Sequence, residues 1–226
     1  MDLGLTPEVL RAGLLFYVLL IACLGLRAYA QAWIADRLGD PTPREEGRLS
    51  LNLLVHMDLF GSVILPLLSI FYLQPNLGRV VFFLAWTKPV PINQANFEHP
   101  QRGMLFTQFA PAIMSVLLAT LAAVGGGFGI GYSDKVGEIV EALIKINAML
   151  IVLDFIPLPP FPGGMLLRHL GVISEERFWQ IARWGSLIFL VAINIPIVRG
   201  VLAVLIGLVQ LPFVMLFQRI AQAGAI

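Results

Sequence analysis

Long apolar stretches dominate this sequence and predict helices that cross a membrane. Five of them reach or approach the roughly 20 apolar residues that one crossing requires. They lie at about 12–33, 54–73, 105–124, 138–156 and 180–217. The last is too long for one crossing, and Asn194 and Pro196 interrupt it, so it predicts two helices at about 180–196 and 200–217. A run at 80–86 is long enough only to re-enter the membrane. We therefore predict an all-α membrane protein, a polytopic bundle of about six transmembrane helices with a short re-entrant hairpin.

The composition supports this class and excludes others. Of 226 residues, 58% are hydrophobic and 13% are charged, and the mean hydropathy is +0.85. Lys and Arg number 15 against 14 Asp and Glu, so the chain has no basic surplus with which to bind nucleic acid. The single cysteine, Cys23, excludes an internal disulfide. The expected partners are membrane lipids and one or more integral membrane proteins.

The positions of Lys and Arg predict the orientation, because cytoplasmic loops retain positive charge. If 54–73 leads out of the cytoplasm and 76–87 returns the chain, nine Lys and Arg residues fall on the cytoplasmic side and four outside. The other two, Arg27 and Lys145, lie within spans. This count favours an N-terminus outside and a C-terminus in the cytoplasm.

Two proline-containing stretches interrupt the apolar pattern on the side that this orientation assigns to the cytoplasm. Residues 86–93 contain two prolines that favour an extended path, and residues 156–164 contain four prolines and end in two glycines that permit a sharp turn. Irregular backbone at membrane depth must be buried in protein or line a polar cavity. With residues 37–52, the two stretches would form a mouth at the end of the first helix. The alternative is that both are ordinary interhelical loops.

Several motifs resemble those of the site-2-protease-type intramembrane zinc metalloproteases of bacteria. The matching stretches are 30–42, 47–52 with His56-Met57-Asp58 and Gly61, the lysine-proline loop 86–93, and 154–163. Their order and spacing agree over about residues 12–170. The resemblance implies a single membrane domain at 1–226, with a site-2-protease-like core at about 12–170 and a C-terminal helical hairpin at 178–226. It also implies a multi-pass protein of the bacterial cytoplasmic (inner) membrane.

The family's metal ligands do not stand at the matching positions. The resemblance implies two histidines one helical turn apart, a glutamate next to the first as general base, and an aspartate from the last motif. Here Arg27 and Gln31 replace the histidines, and Ala28 replaces the glutamate. Pro162 replaces the aspartate, and Asp154 replaces an asparagine of the same motif. These five positions are therefore predicted to be vestigial.

The replacements predict a pseudoprotease, which is not an enzyme and binds no zinc. The function expected on this basis is that of a catalytically inactive binding or structural subunit of a larger membrane complex. One alternative is an active intramembrane zinc metalloprotease with non-standard ligands. Another is a small transporter, although the sequence shows neither internal repeats nor a set of polar residues through the membrane.

Three further polar features are candidates for a role. An unpaired arginine within a span is costly, so Arg27 is expected to form an ion pair with Asp154 in the space that zinc takes in the family. The alternative is that Arg27 reaches to the membrane surface and Asp154 caps a helix. His56 is interpreted as a hydrogen-bonded structural residue, with ligation of a tetrapyrrole metal as the alternative. Lys88, in the lysine-proline loop, is the remaining polar candidate.

Overall fold

The computed structural model describes residues 6–73, 85–128, 134–159 and 161–223. Over these residues it contains nine α-helices. They are α1 Pro7–Arg37, α2 Thr42–Glu45, α3 Leu53–His56, α4 Leu65–Leu68, α5 Pro100–Gly127, α6 Asp134–Asp154, α7 Pro162–His169, α8 Glu175–Ala192 and α9 Pro196–Ala223. Extended pairing in the described part is limited to an isolated bridge between Met57 and Thr87. The all-α class is confirmed.

Three of the described helices, α1, α5 and α9, are long and apolar enough to cross a membrane. Helix α1 begins at Pro7, a favoured first helical residue, and the Thr6 hydroxyl accepts the Val9 N–H at its start. Helices α6 and α8 coincide with predicted spans but carry six and four charged residues respectively, which lowers their hydropathy. The chain is thus a membrane protein, and a bundle of six crossings stays a prediction.

The predicted crossing at 54–73 is wrong as a continuous helix. After α3 the backbone is extended at Met57 and Asp58, and then two π-helical turns, Leu59–Ile64 and Ser69–Leu73, flank α4. The Asp58 carboxylate accepts the backbone N–H groups of Phe60 and Gly61, and this cap starts a new helical segment. Hydropathy averaged over the segment does not reveal the break, because apolar residues surround Asp58 on both sides. The predicted re-entrant run at 80–86 lies mostly outside the described residues.

The core forms where α1, α6 and α9 meet. Leu20 and Leu24 of α1 pack with Ile146 and Leu150 of α6 and with Leu202 of α9 in one buried cluster. Helix α5 packs against α1, α6 and α9. The arrangement places the C-terminal half of α1, the middle of α5 and the last turns of α6 around a common space.

The C-terminal segment forms two helices, as its sequence predicts. Helix α8 ends at Ala192 and α9 begins at Pro196, so the break covers residues 193–195 and the second helix begins before the predicted residue 200. The first of the two begins earlier than the predicted residue 180, because Ser174 caps it by accepting the Arg177 N–H.

Candidate functional site

Arg27 and Asp154 form an ion pair where α1 and α6 meet. One terminal nitrogen of Arg27 donates to both carboxylate oxygens of Asp154, each at 2.8 Å. Each residue is 7% exposed. The structure thus brings together the two residues that the sequence analysis pairs.

Helix α5 supplies the remaining partners of Arg27. The second terminal nitrogen donates to the Pro111 carbonyl oxygen at 2.9 Å and to the hydroxyl of Ser115, which is fully buried. Pro111 is inside the helix and has no N–H, which weakens the regular helical ladder around it. The guanidinium therefore joins three helices, and its charge is balanced locally by Asp154.

A cavity of about 520 Å³ opens beside this ion pair. All five vestigial positions line it: Arg27, Ala28 and Gln31 from α1, Asp154 from α6, and Pro162 from α7. Gln108 of α5 closes the polar side, and its carbonyl oxygen accepts from the Gln31 amide at 3.3 Å. Much of the remaining lining is apolar and includes Leu24, Ala85, Val90, Leu150, Leu153 and Phe161.

An extended segment, residues 85–90, forms one wall of the cavity. The Lys88 N–H donates to the His56 carbonyl at 2.8 Å, and the Trp86 N–H donates to the Gly61 carbonyl at 3.1 Å. In an antiparallel pair alternate residues direct their backbone groups to opposite edges, so the N–H and C=O of Thr87 point away from Met57. Thr87 lines the cavity, and within the described residues neither backbone group has a hydrogen-bond partner.

Close contacts fix this wall on its other side. The Ser62 hydroxyl donates to the Trp86 carbonyl at 2.7 Å and accepts the Asp58 N–H at 3.1 Å. Gly61 lies directly under the Trp86 ring, where a β-carbon would come within 2.4 Å of Cδ2. The wall is therefore held by the irregular segment that replaces the predicted crossing helix.

Asp40 anchors the far end of the same wall to the end of α1. Its fully buried carboxylate accepts from the Thr42 N–H and hydroxyl, the Asn93 N–H at 2.7 Å and the Asn96 amide at 2.8 Å. Burial raises the pKa of Asp40, but these hydrogen bonds together outweigh it, so the pKa lies below its ordinary value of 3.8. The carboxylate form is the one that holds residues 93–96 in place.

We expect Asp40→Asn to loosen this anchor, because an amide nitrogen would then face one of the backbone or side-chain donors. Amide hydrogen exchange at Asn93 should become at least about tenfold faster, equivalent to one lost hydrogen bond. Since the folded pKa is depressed, the stabilisation by Asp40 is complete above the unfolded pKa and is lost as the pH falls through the folded pKa. The wild type should therefore lose unfolding free energy more steeply than Asp40→Asn as the pH falls below about 4.

The matched control for this experiment is Glu46→Gln, which neutralises an exposed carboxylate six residues away. It should leave Asn93 exchange and the acid dependence unchanged. Identical acid profiles for Asp40→Asn and the wild type would contradict the role assigned to Asp40.

The two other predicted polar candidates lie on the outer side of the wall. His56 is fully buried, and its Nε2 is 2.8 Å from the Ser50 carbonyl oxygen, a contact typical of a structural histidine. Lys88 is exposed, and its backbone rather than its side chain takes part in the wall. Sequence reasoning missed Ser115, Gln108, Thr87 and Asp40. Asp40 lies within a quoted motif, whereas no local pattern distinguishes Gln108 or Ser115 from other helix residues.

The side chains at the implied zinc positions do not fit that ion. Arg27 is a cation, Pro162 has no side-chain donor, and both oxygens of Asp154 are bound by Arg27. Among the residues that the structure describes, no three His, Cys, Asp or Glu side chains form a group that could hold a metal. No reaction step through zinc follows from this set of residues.

Comparison with known proteins gives one informative relative. The chain is 25% identical over 191 residues to "Putative zinc metalloprotease YwhC" of Bacillus subtilis (strain 168), a match that covers 80% of each protein. No family model and no solved structure matches the chain.

This match contradicts two of the predictions made from the missing ligands. The chain was expected not to be an enzyme and to take no zinc, but the relative's name points to protease activity and suggests zinc. Both predictions are wrong on this finding, although Arg27, Gln31 and Pro162 do not themselves fit the metal. This similarity extends over most of both proteins and supports the resemblance of the motifs to those of the site-2-protease-type membrane metalloproteases.

Proposed function

We propose that the cavity beside Arg27 and Asp154 binds a segment of an integral membrane protein in extended form. The observation that carries the proposal is the unpaired edge of residues 85–90 at Thr87, which lines the cavity. An extended peptide can add to such an edge through its own N–H and C=O groups. A helix cannot, because its backbone groups bond to one another.

The charge distribution supports the same ligand. The Arg27–Asp154 pair is neutral as a unit, and the other lining residues are apolar or uncharged polar residues. A charged small molecule would find no unpaired opposite charge among the described lining residues. An uncharged polypeptide segment at membrane depth can satisfy its backbone at the wall and bury apolar side chains against Leu150 or Phe161.

The relative's name agrees with this ligand class, because a metalloprotease acts on polypeptide. Binding of the segment is the step that precedes cleavage in any protease, and it is also what a subunit of a larger membrane complex would require. The Lys and Arg distribution supports a cavity at the cytoplasmic side of a bacterial inner membrane, with the N-terminus outside.

A photo-crosslinking residue, p-benzoylphenylalanine, in place of Thr87 tests the proposal, because the backbone edge is retained. Irradiation of membranes should attach an integral membrane protein, and filling the cavity with Ala28→Leu should reduce the yield at least about fivefold, since Ala28 lies in the lining with 3% exposure. The same label at Gln180, exposed on α8, should give a yield that Ala28→Leu does not change. Crosslinks to lipid alone, or a yield insensitive to Ala28→Leu, would contradict the proposal.

A further inference from the structure

We propose that Gln31 and Gln108 recognise an amide group of the bound segment and so determine which segments are held. This inference rests on the proposed function, and it adds the chemistry by which the partner is selected. The two residues come from α1 and α5, and both line the cavity.

The argument begins with the hydrogen-bonding capacity of the two side chains. Each carboxamide has a carbonyl oxygen and an NH2 group. The described residues provide one hydrogen bond to these two side chains, and it runs from the Gln31 nitrogen to the Gln108 oxygen at 3.3 Å. This bond leaves the Gln31 carbonyl oxygen and the Gln108 NH2 group wholly unbonded, together with the second N–H of Gln31 and the second lone pair of the Gln108 oxygen. If both amides are turned over, the two residues exchange roles, and one carbonyl oxygen and one NH2 group are again left wholly unbonded.

An unpaired acceptor next to an unpaired donor is complementary to another amide. An amide of the ligand can donate to the first and accept from the second, as in a pair of peptide groups. A charged group would satisfy only one of the two, because a carboxylate has no donor and an ammonium has no acceptor. A hydrocarbon side chain would leave both unpaired in a partly buried space, which is costly.

The position of the pair relative to Arg27 strengthens this selection. Gln31 follows Arg27 by one turn on the same face of α1, so the ligand's amide would lie near the ion pair. Both terminal nitrogens of Arg27 already donate to Asp154, Ser115 and Pro111, so the N–H groups at the end of the guanidinium are occupied. At this depth the two glutamines, rather than a charged group, therefore select the bound segment.

The test uses synthetic, fluorescently labelled Leu-Ala transmembrane peptides and the full chain in lipid nanodiscs. One peptide carries a central glutamine, a second carries methionine there, and a third has the methionine with an N-methylated central backbone. Wild type should bind the glutamine peptide about tenfold more tightly than the methionine peptide if a side-chain amide is read. If a backbone amide is read, the methionine peptide should instead bind about tenfold more tightly than its N-methylated form.

The double variant Gln31→Met, Gln108→Met keeps the size of both side chains. Its ratio of peptide affinities should fall to about one, whichever of the two ratios the wild type shows. The matched control Gln180→Met, at an exposed position on α8, should keep the wild-type ratio. Ratios near one in the wild type, or a ratio that survives in the double variant, would overturn the inference while leaving the proposed function standing. Failure of all three peptides to bind would overturn both.

Discussion

Arg27→Ala is expected to reduce the free energy of unfolding by about 3 to 5 kcal/mol, the cost of removing one partner from a buried ion pair. The variant leaves the Asp154 carboxylate buried at 7% exposure and removes the donor from Ser115 and Pro111. Denaturant unfolding in detergent, followed by tryptophan fluorescence, measures the change. We expect Arg27→Ala with Asp154→Asn to recover part of the loss, because no charge is then left without a partner.

The matched control is Arg11→Ala, which breaks the ion pair with Glu138. That pair has a 3.4 Å separation, and its side chains are 58% and 51% exposed. Removing it should change the unfolding free energy by less than about 1 kcal/mol. Equal losses for Arg27→Ala and for the double variant would show that leaving the Asp154 carboxylate without its partner carries no extra cost, and would contradict the role assigned to the pair.

The sequence predicts the ion pair because both replacements stand at positions of the family's active-site motifs, and the positive charge of one replacement can balance the negative charge of the other. It could not predict the rest of the cavity, because Ser115 and Gln108 are ordinary helix residues until α5 is packed against α1. Local patterns give no information on which helices become neighbours. Conversely, the all-α class follows directly from apolar stretches that are long enough to cross a membrane as helices.

The segment at 54–73 shows how hydropathy can mislead. Its apolar content is that of a crossing helix, but Asp58 caps a new start within it, and the residues around Met57 pair with residues 86–88. Those contacts join positions about thirty residues apart, and no hydropathy window contains both sides. The capping residue was the available local signal, since an aspartate immediately before an apolar run is a typical helix start.

The two glycines that follow the proline-rich stretch have a different role from the predicted sharp turn. Gly163 and Gly164 lie in the first turn of α7, with neither in the left-handed region. A β-carbon on Gly163 would come within 2.5 Å of the Ile156 carbonyl oxygen, and one on Gly164 within 2.4 Å of the Pro159 nitrogen. Glycine is therefore required because α7 packs directly on the backbone that follows Asp154.

Gly164→Ala should consequently destabilise the protein by about 3 kcal/mol, the upper end of the usual range for overpacking. The atoms that the new β-carbon would meet belong to the backbone and cannot rotate away. The displaced turn begins four residues after Asp154, so binding of peptides in the cavity should weaken as well. Gly137→Ala on α6 is the control, since nothing lies within 4 Å of its added β-carbon. That variant should stabilise the helix by about 0.5 to 1 kcal/mol, as expected for glycine to alanine in a helix interior. If the two variants shifted denaturant midpoints equally and in the same direction, close packing of α7 on the turn would be refuted.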